Sequence, residues 1–209
     1  MIRVITIDRE YGSGGADIAR KLAEQLNWQL WDQHLTDEIA RHLDCESRAV
    51  EEHAERKDAL HYRLFKAFLR GSFEGSLNAP RLKMVDADCI REAAETVVTA
   101  AAKSGNAVIV GRGSAYYLRD WPDAFHVFIY APFEAKVQRL RAGGETEEKA
   151  IELAETVDRD RAAYVKQYFG VEWPAARQLF HLMINSIIGE DLVVQTILNS
   201  VALLDKQSA

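Results

Sequence analysis

A chain of 209 residues, 48% hydrophobic and 28% charged, has the composition of a globular protein and is long enough to bury a sizeable core. Its net charge of −6 excludes broad nucleic-acid binding, so an anionic ligand must be met by local positive groups. No run approaches the ~18 apolar residues of a membrane span, no charged and then apolar leader opens the chain, and Cys45 and Cys89 have no metal-like spacing, so a soluble cytoplasmic protein with reduced thiols is expected.

The β-branched run from Ile2 to Ile7 predicts a first strand, which breaks into Gly12, Ser13, Gly14 and Gly15 before a helix resumes at Ala16. Such a loop brings backbone N–H groups close to a phosphate, and the positive end of the following helix favours the anion. The alternative is a glycine-rich turn that serves only helix–strand packing. The phosphate-loop pattern G-x-x-x-x-G-K-[ST], laid with its second glycine on Gly14, sets Arg9 at the first glycine, Gly15 at the lysine and Ala16 at the hydroxyl. Asp17 follows, and a carboxylate ~5 Å from a phosphate charge at an effective dielectric near 20 costs about 3 kcal/mol. Without a cation between them, Asp17 must point away.

Ile18, Leu22, Ala23 and Leu26 continue at helical spacing, and Trp28 to Trp31 returns as a short strand. Residues 35 to 69 favour helix, with Leu60, Leu64, Phe65 and Phe68 on one stripe, open either to core packing or to a homodimer contact. A loop over 71–80 and a helix over 86–103 follow, then a buried strand at Ala107–Val110. A second apolar strand at 125–130 leads through Ala131-Pro132 into a helix past Leu140. A charged helix over 146–168, a last strand at 180–184 and a terminal helix complete the pattern. Strands alternating with helices imply a parallel sheet with helices on both faces, an α/β fold.

Arg112 stands between Gly111 and Gly113 just past a buried strand, at the carboxyl edge where open α/β sheets bind ligands. Its guanidinium is suited to bidentate phosphate binding, and pairing with a structural carboxylate is the alternative. Asp32 ends the second strand and Asp8 the first; Asp8 also suits loop bracing, so Asp32 is the preferred polar candidate. His34 is expected at the surface, with an acid–base role as the lesser reading. The aromatic stretch Tyr164 to Trp173 suits closure over a base with Lys166 on phosphate, or packing of a helix end.

Together, Ile5-Thr-Ile-Asp8, the glycine loop, Asp32, Gly111-Arg112, Ala131-Pro132-Phe133-Glu134 and Ile184-Asn185-Ser186 resemble the cytidylate kinase-like family of phosphate-loop kinases, closest to a divergent branch in which G-S-G-G replaces the lysine-bearing loop. The resemblance spans nearly the whole chain. It implies a phosphate-loop NTPase fold in one domain, with a core of about 1–34 and 105–209, a helical acceptor-binding insertion of about 35–104 and a lid-like helical segment. It further implies ATP or another nucleoside triphosphate with Mg²⁺, and phosphoryl transfer to a nucleoside monophosphate or other small acceptor, with a catalytically degenerate nucleotide- or phosphoester-binding regulator as the alternative. Nucleic acid and membrane are not expected as partners.

In that comparison Arg9, Gly12, Ser13, Gly14, Gly15, Ala16 and Asp17 form the donor loop, with Arg9, Gly15, Ala16 and Asp17 departing from the Gly, Lys, Gly and Thr of the family's usual motif. Arg112 matches the arginine assigned to acceptor phosphate, although Val110 stands where the family's D-G-R has its acid. The cytidine-selecting residues that follow the second strand are not carried over after Asp32. Of the lid arginines available, Arg139, Arg141, Arg159 and Arg161, the expectation favours Arg139 and Arg159 over the transferring phosphoryl group. A lysine restored at Gly15 is expected to meet a positive φ.

Overall fold

A computed structural model describes residues 1–50, 87–173 and 177–207. Its centre is a five-stranded parallel sheet in the order β2-β3-β1-β4-β5, from β1 (Val4–Arg9), β2 (Gln29–Trp31), β3 (Ala107–Val110), β4 (Ala124–Tyr130) and β5 (Leu182–Asn185). The helices are α1 (Gly15–Leu26), α2 (Gln33–Val50), α3 (Ala87–Ser104), the short α4 (Ser114–Tyr117), α5 (Phe133–Ala142), α6 (Glu147–Phe169) and α7 (Glu190–Gln207). Each strand predicted from the sequence is present, β3 at the predicted bounds and the others with bounds moved by one or two residues; α4 and the 3₁₀ turn Ser186–Ile188 were not anticipated. The predicted stripe at Leu60 to Phe68, its dimer reading and the loop over 71–80 lie outside the described residues.

Period-two burial divides the core. Ile5 and Ile7 of β1, with Val108, Val110, Val127 and Ile129, meet Ile18 and Leu22 of α1 and Val193 and Ile197 of α7 on one face. Val4, Ile109 and Phe128 face the other way, against Leu35 and Ile39 of α2, Ala94 and Val98 of α3, and Tyr164 of α6. Near-continuous apolar strands are what a sheet covered on both faces requires. The described parts of the expected 35–104 insertion, α2 and α3, thus lie against the sheet as well as against each other. A smaller cluster, Tyr11, Leu140, Leu153 and Val157, seals α5 and α6 onto the glycine loop. Among the described residues no helix is long and apolar enough to cross a membrane.

β1 lies between β3 and β4, yet the chain leaves it through α1 toward β2, so connections diverge beside its carboxyl end. That divergence opens a crevice at the carboxyl edge, where Arg9, the glycine loop and Arg112 emerge.

A buried polar pair, His126 and Thr6, sits inside the sheet. His126 of β4 is 1% exposed; its Nε2 lies 3.2 Å from the Leu118 carbonyl and its Nδ1 2.7 Å from Thr6 Oγ1. A carbonyl only accepts, so Nε2 donates to Leu118, and Nδ1 accepts from the Thr6 hydroxyl. Burial, helped by the neighbouring His181, pulls the His126 pKa down to about 4. An unfolded histidine titrates near 6.5, so between that pH and about 4 the unfolded chain takes up a proton that the native protein refuses, and stability falls as pH falls. From pH 7 to pH 5 we expect a loss on the order of 2 kcal/mol from this group. Denaturant titrations should show a flatter profile for His126→Gln than for the unsubstituted protein; parallel profiles would contradict the assignment.

Candidate functional site

The glycine loop is set by backbone geometry first. Gly12 and Gly14 have φ of 76° and 78°, left-handed values that side chains resist, and Gly14 is the N-cap of α1 without a side-chain cap. The first amides of α1 therefore lack intrahelical partners and face outward from the helix start. Ser13 is fully buried, and its Oγ has no hydrogen-bond partner among the described residues. Such a cradle fits an anionic oxygen ligand.

Two further elements hold the loop in place. Ser186 Oγ donates to the Ser13 carbonyl, while Arg139 of α5 donates to the Gly12 carbonyl at 3.4 Å and the Ser186 carbonyl at 3.2 Å. Asp158 of α6 accepts from the Tyr11 N–H at 2.7 Å and from Lys136 Nζ at 2.9 Å, and Lys136 also pairs with Glu10 at 3.3 Å. Burial works against the Lys136 charge, but Asp158 and Glu10 outweigh it and hold its pKa above the ordinary lysine value. A Cβ on Gly12 would lie 3.1 Å from Lys136 Cβ, so α5 rests directly on the loop.

Arg112 is placed by an unusual turn. Gly111, Arg112 and Gly113 have φ of 64°, 53° and 71°, three left-handed residues in succession, and the middle one carries a side chain. The turn is held from outside: Arg112 Nη1 donates to Asp32 Oδ1 at 2.8 Å and to the Val110 carbonyl at 3.0 Å, and Nη2 donates to Thr36 Oγ1 at 2.6 Å. Burial pulls the Arg112 pKa down to about 10 against the opposing pull of Asp32, so it stays charged at neutral pH. The structure thus shows the carboxylate pairing that was the alternative reading of Arg112, and its partner is Asp32.

Arg9 takes a path that its neighbours make possible. Its Cβ and Cγ lie 2.8 and 2.9 Å from where a Cβ on Gly15 would stand, and its Nη1 lies 2.0 Å from a Cβ on Gly111. Both positions must be glycine for Arg9 to pass. The obstacle to lysine at Gly15 is therefore this side chain and not a positive φ, which Gly15 does not have. Arg161 of α6 donates to the Arg9 carbonyl at 3.0 Å and is only 8% exposed. Burial, then the charge of Arg9, lowers its pKa to about 10. Arg9, Arg112 and Arg161 line one small cavity with Asp8, Tyr116, Tyr164 and Trp173.

The remaining expectations divide. Arg139 reaches the glycine loop, but Arg159 is exposed on the outer face of α6, about 200° around the helix from Arg161, and does not enter the cavity. Asp17 also points away: it is exposed and pairs with Arg20 at 3.2 Å. Ala16 is partly buried in the first turn of α1. His34 is exposed, near Glu38 and against Trp31, and Lys166 pairs outward with Glu172. The aromatic stretch packs: Phe169 stacks on Tyr116 with ring centres 4.6 Å apart, and Trp173 Nε1 donates to Asp8 Oδ2 at 3.0 Å. Asp8 also accepts from the Arg9 N–H at 3.0 Å, and burial lifts its pKa against the pull of Arg9, Arg161 and both hydrogen bonds.

Tyr116, Lys136 and Asp158 were not among the sequence candidates; Arg161 was among the lid arginines but ranked below Arg159, and Trp173 entered only as part of the aromatic stretch. A signal for Arg161 is present in the sequence, since it falls in register with the buried Leu153, Val157, Tyr164 and Val165 of α6 while Arg159 falls out of it. Tyr116 had none, being one of two adjacent tyrosines in a four-residue helix.

The family model described as the cytidylate kinase-like family matches residues 4–187. The chain belongs to the cytidylate kinase-like family. An uncharacterized protein from Eubacterium ventriosum has a similar crystal structure, with a TM-score of 0.68 and 23% identity over 97% of this chain and 99% of that one. The shikimate kinase of Bacteroides thetaiotaomicron aligns with a TM-score of 0.50 and 13% identity over 97% and 99% of the two chains. The shikimate kinase of Acinetobacter baumannii in complex with shikimate aligns with a TM-score of 0.50 and 16% identity over 97% and 94%. These likenesses bear on the fold, a parallel sheet flanked by helices of the phosphate-loop kinase type. No curated protein matches the sequence.

Within this cytidylate kinase-like chain, Gly15→Lys should lower the melting temperature by several degrees, because the new Cβ meets the inner carbons of Arg9, next to the backbone. Arg9→Gly combined with Gly15→Lys restores both positions of the usual loop pattern and removes the clash. The double variant should therefore be more stable than the sum of the two single changes. Additive losses in a thermal double-mutant cycle would mean that Arg9 and Gly15 are not coupled.

Proposed function

We propose that this protein is a phosphotransferase that binds a nucleoside triphosphate, ATP or another, at the glycine loop and moves its terminal phosphoryl group to a nucleoside monophosphate, CMP-like, or another small acceptor. The observation that carries the reading is the meeting of an uncapped helix start and the buried Arg112 at one carboxyl edge of the sheet.

Phosphoryl transfer needs positioning and charge stabilisation above all. In this reading the amides from Gly14 to Ala16 hold donor phosphates, Arg139 fixes the loop and borders its outer side, and Arg112 takes the acceptor's anionic group. Asp8 is the better candidate for orienting an acceptor hydroxyl or accepting its proton: it lines the cavity and burial lifts its pKa, whereas Asp32 is held by Arg112. Among the described residues no group of three or more histidines, cysteines or carboxylates converges on one point, which suits Mg²⁺ carried mainly by substrate phosphates and water. When bound there, Mg²⁺ would offset the charge of the phosphates.

The second reading, a phosphoester-binding regulator without turnover, is favoured by one feature, the glycine at the lysine position. Turnover separates the two. A thermal-shift panel of nucleoside tri-, di- and monophosphates with and without Mg²⁺ comes first, since a ligand at ~100 times its dissociation constant adds about 2.7 kcal/mol, a shift of several degrees. We expect a magnesium-dependent shift with a triphosphate, and release of diphosphate once a matching acceptor is added. Binding without release under any acceptor would favour the regulator; no shift with any nucleotide, in a protein that melts cooperatively, would overturn the phosphotransferase reading and leave only a structural loop or a cradle for another phosphoester.

A further inference from the structure

The crevice carries more positive charge than a single acceptor arginine requires. Arg9, Arg112 and Arg161 are all at least nine-tenths buried and line one cavity, with Asp8 as the one carboxylate among its lining residues. They lie close enough that Arg9 depresses the pKa of both other arginines, and Arg112 that of Arg161. Asp8 already accepts from the Arg9 N–H and from Trp173. Two of these charges already meet a carboxylate, Arg112 with Asp32 at 2.8 Å and Arg161 with Asp158 at 3.6 Å, and an anion in the cavity would adjoin all three guanidinium-bearing residues.

The wall of the same cavity holds a second pointer. Tyr116 is 7% exposed, and its hydroxyl has no hydrogen-bond partner among the described residues. Burial, then the charge of Asp8, pushes its pKa up, so it remains a donor. Arginines and a phenol lining one small cavity suit an oxyanion, because guanidinium and phenol groups carry N–H and O–H donors for a charged oxygen. Arg9 reaches this cavity only through the gap left by Gly15 and Gly111, and it starts from the position where the phosphate-loop pattern has its first glycine.

We propose that Arg9, Arg161 and Tyr116 join Arg112 in one closed pocket for a phosphate oxyanion of the substrate, with Arg9 supplying the cation that the loop lacks at Gly15. The assignment of that oxyanion to a substrate rests on the phosphotransferase reading; the pocket itself does not. The oxyanion belongs either to the acceptor's phosphomonoester or to the donor's terminal phosphoryl group, two sources of one chemistry.

The test is calorimetric titration of the full chain with inorganic phosphate, alone and in competition. The unsubstituted protein and Arg119→Ala, an exposed control, should bind phosphate alike. Tyr116→Phe should weaken phosphate about five- to tenfold while leaving the melting temperature of the ligand-free protein unchanged or higher, because the lost hydroxyl has no partner there. Arg9→Gln should weaken it at least tenfold, with Arg9→Lys intermediate. Should the Arg9 variants fail to fold, Tyr116→Phe still decides. No phosphate binding by the unsubstituted protein, or wild-type affinity in Tyr116→Phe, overturns the pocket. Displacement of phosphate by a nucleoside monophosphate alone assigns the acceptor, and displacement by a magnesium triphosphate alone assigns the donor; either supports the proposal, while displacement by neither overturns the substrate assignment. A Tyr116-dependent phosphate site in a protein without any nucleotide response would keep the pocket and sink the phosphotransferase reading, and the reverse result would sink the pocket alone.

Discussion

The passage of Arg9 between two glycines is the constraint from which the rest of the crevice follows. A guanidinium leaving the end of β1 can reach the turn after β3 only if nothing projects from Gly15 or Gly111. That excludes lysine at the position where a phosphate loop usually has one. It also moves the positive charge from the loop's own helix to a cavity shared with Arg112 and Arg161. Two departures from the usual loop pattern that look independent in the sequence, Arg9 and Gly15, are thus linked by one steric fact.

A cluster of buried cations needs walls that do not move, and the structure provides them in two directions. On one side Asp32 and Thr36 grip the Arg112 guanidinium and sustain a left-handed backbone that an arginine would not adopt unaided. On the other, Arg161 is tied to the Arg9 carbonyl, and Asp158 joins the loop's Tyr11 amide to Lys136 of α5. The hairpin of α5 and α6 is therefore bound to the glycine loop by polar contacts as well as by the apolar cluster around Leu140 and Val157. Polar networks of this kind fix geometry when most of their members are satisfied, which suits a site that works by positioning.

Much of the fold was legible because its signals are local. The apolar strands, the helix after Gly15 and the proline before α5 each act over a few residues, and the strands and helices they predict are present. The site was legible in part. The glycine loop, Arg112 and Arg139 stand at the crevice, Asp17 points away as the charge argument required, and Asp32 is beside Arg112. Arg159 was preferred over Arg161 without weighing helical phase, and Asp8 was ranked below Asp32 because a carboxylate at a strand end also suits loop bracing, whereas its Trp173 partner lies far off in the sequence. Lys136 was passed over because it comes to Gly12 from more than a hundred residues away.

From the sequence alone, hydrophobic periodicity determined the alternation of strand and helix, and glycine placement determined a backbone able to cradle an anion. Both depend on interactions within a few residues, which a linear chain displays. Only the tertiary structure decided which charges meet: Arg9, Arg112 and Arg161 come from three separate elements. Their convergence depends on the crossing of β1 between β3 and β4, on two absent Cβ atoms and on the phase of α6. Electrostatic interaction between side chains follows distance in space, and that distance exists only once the sheet has formed.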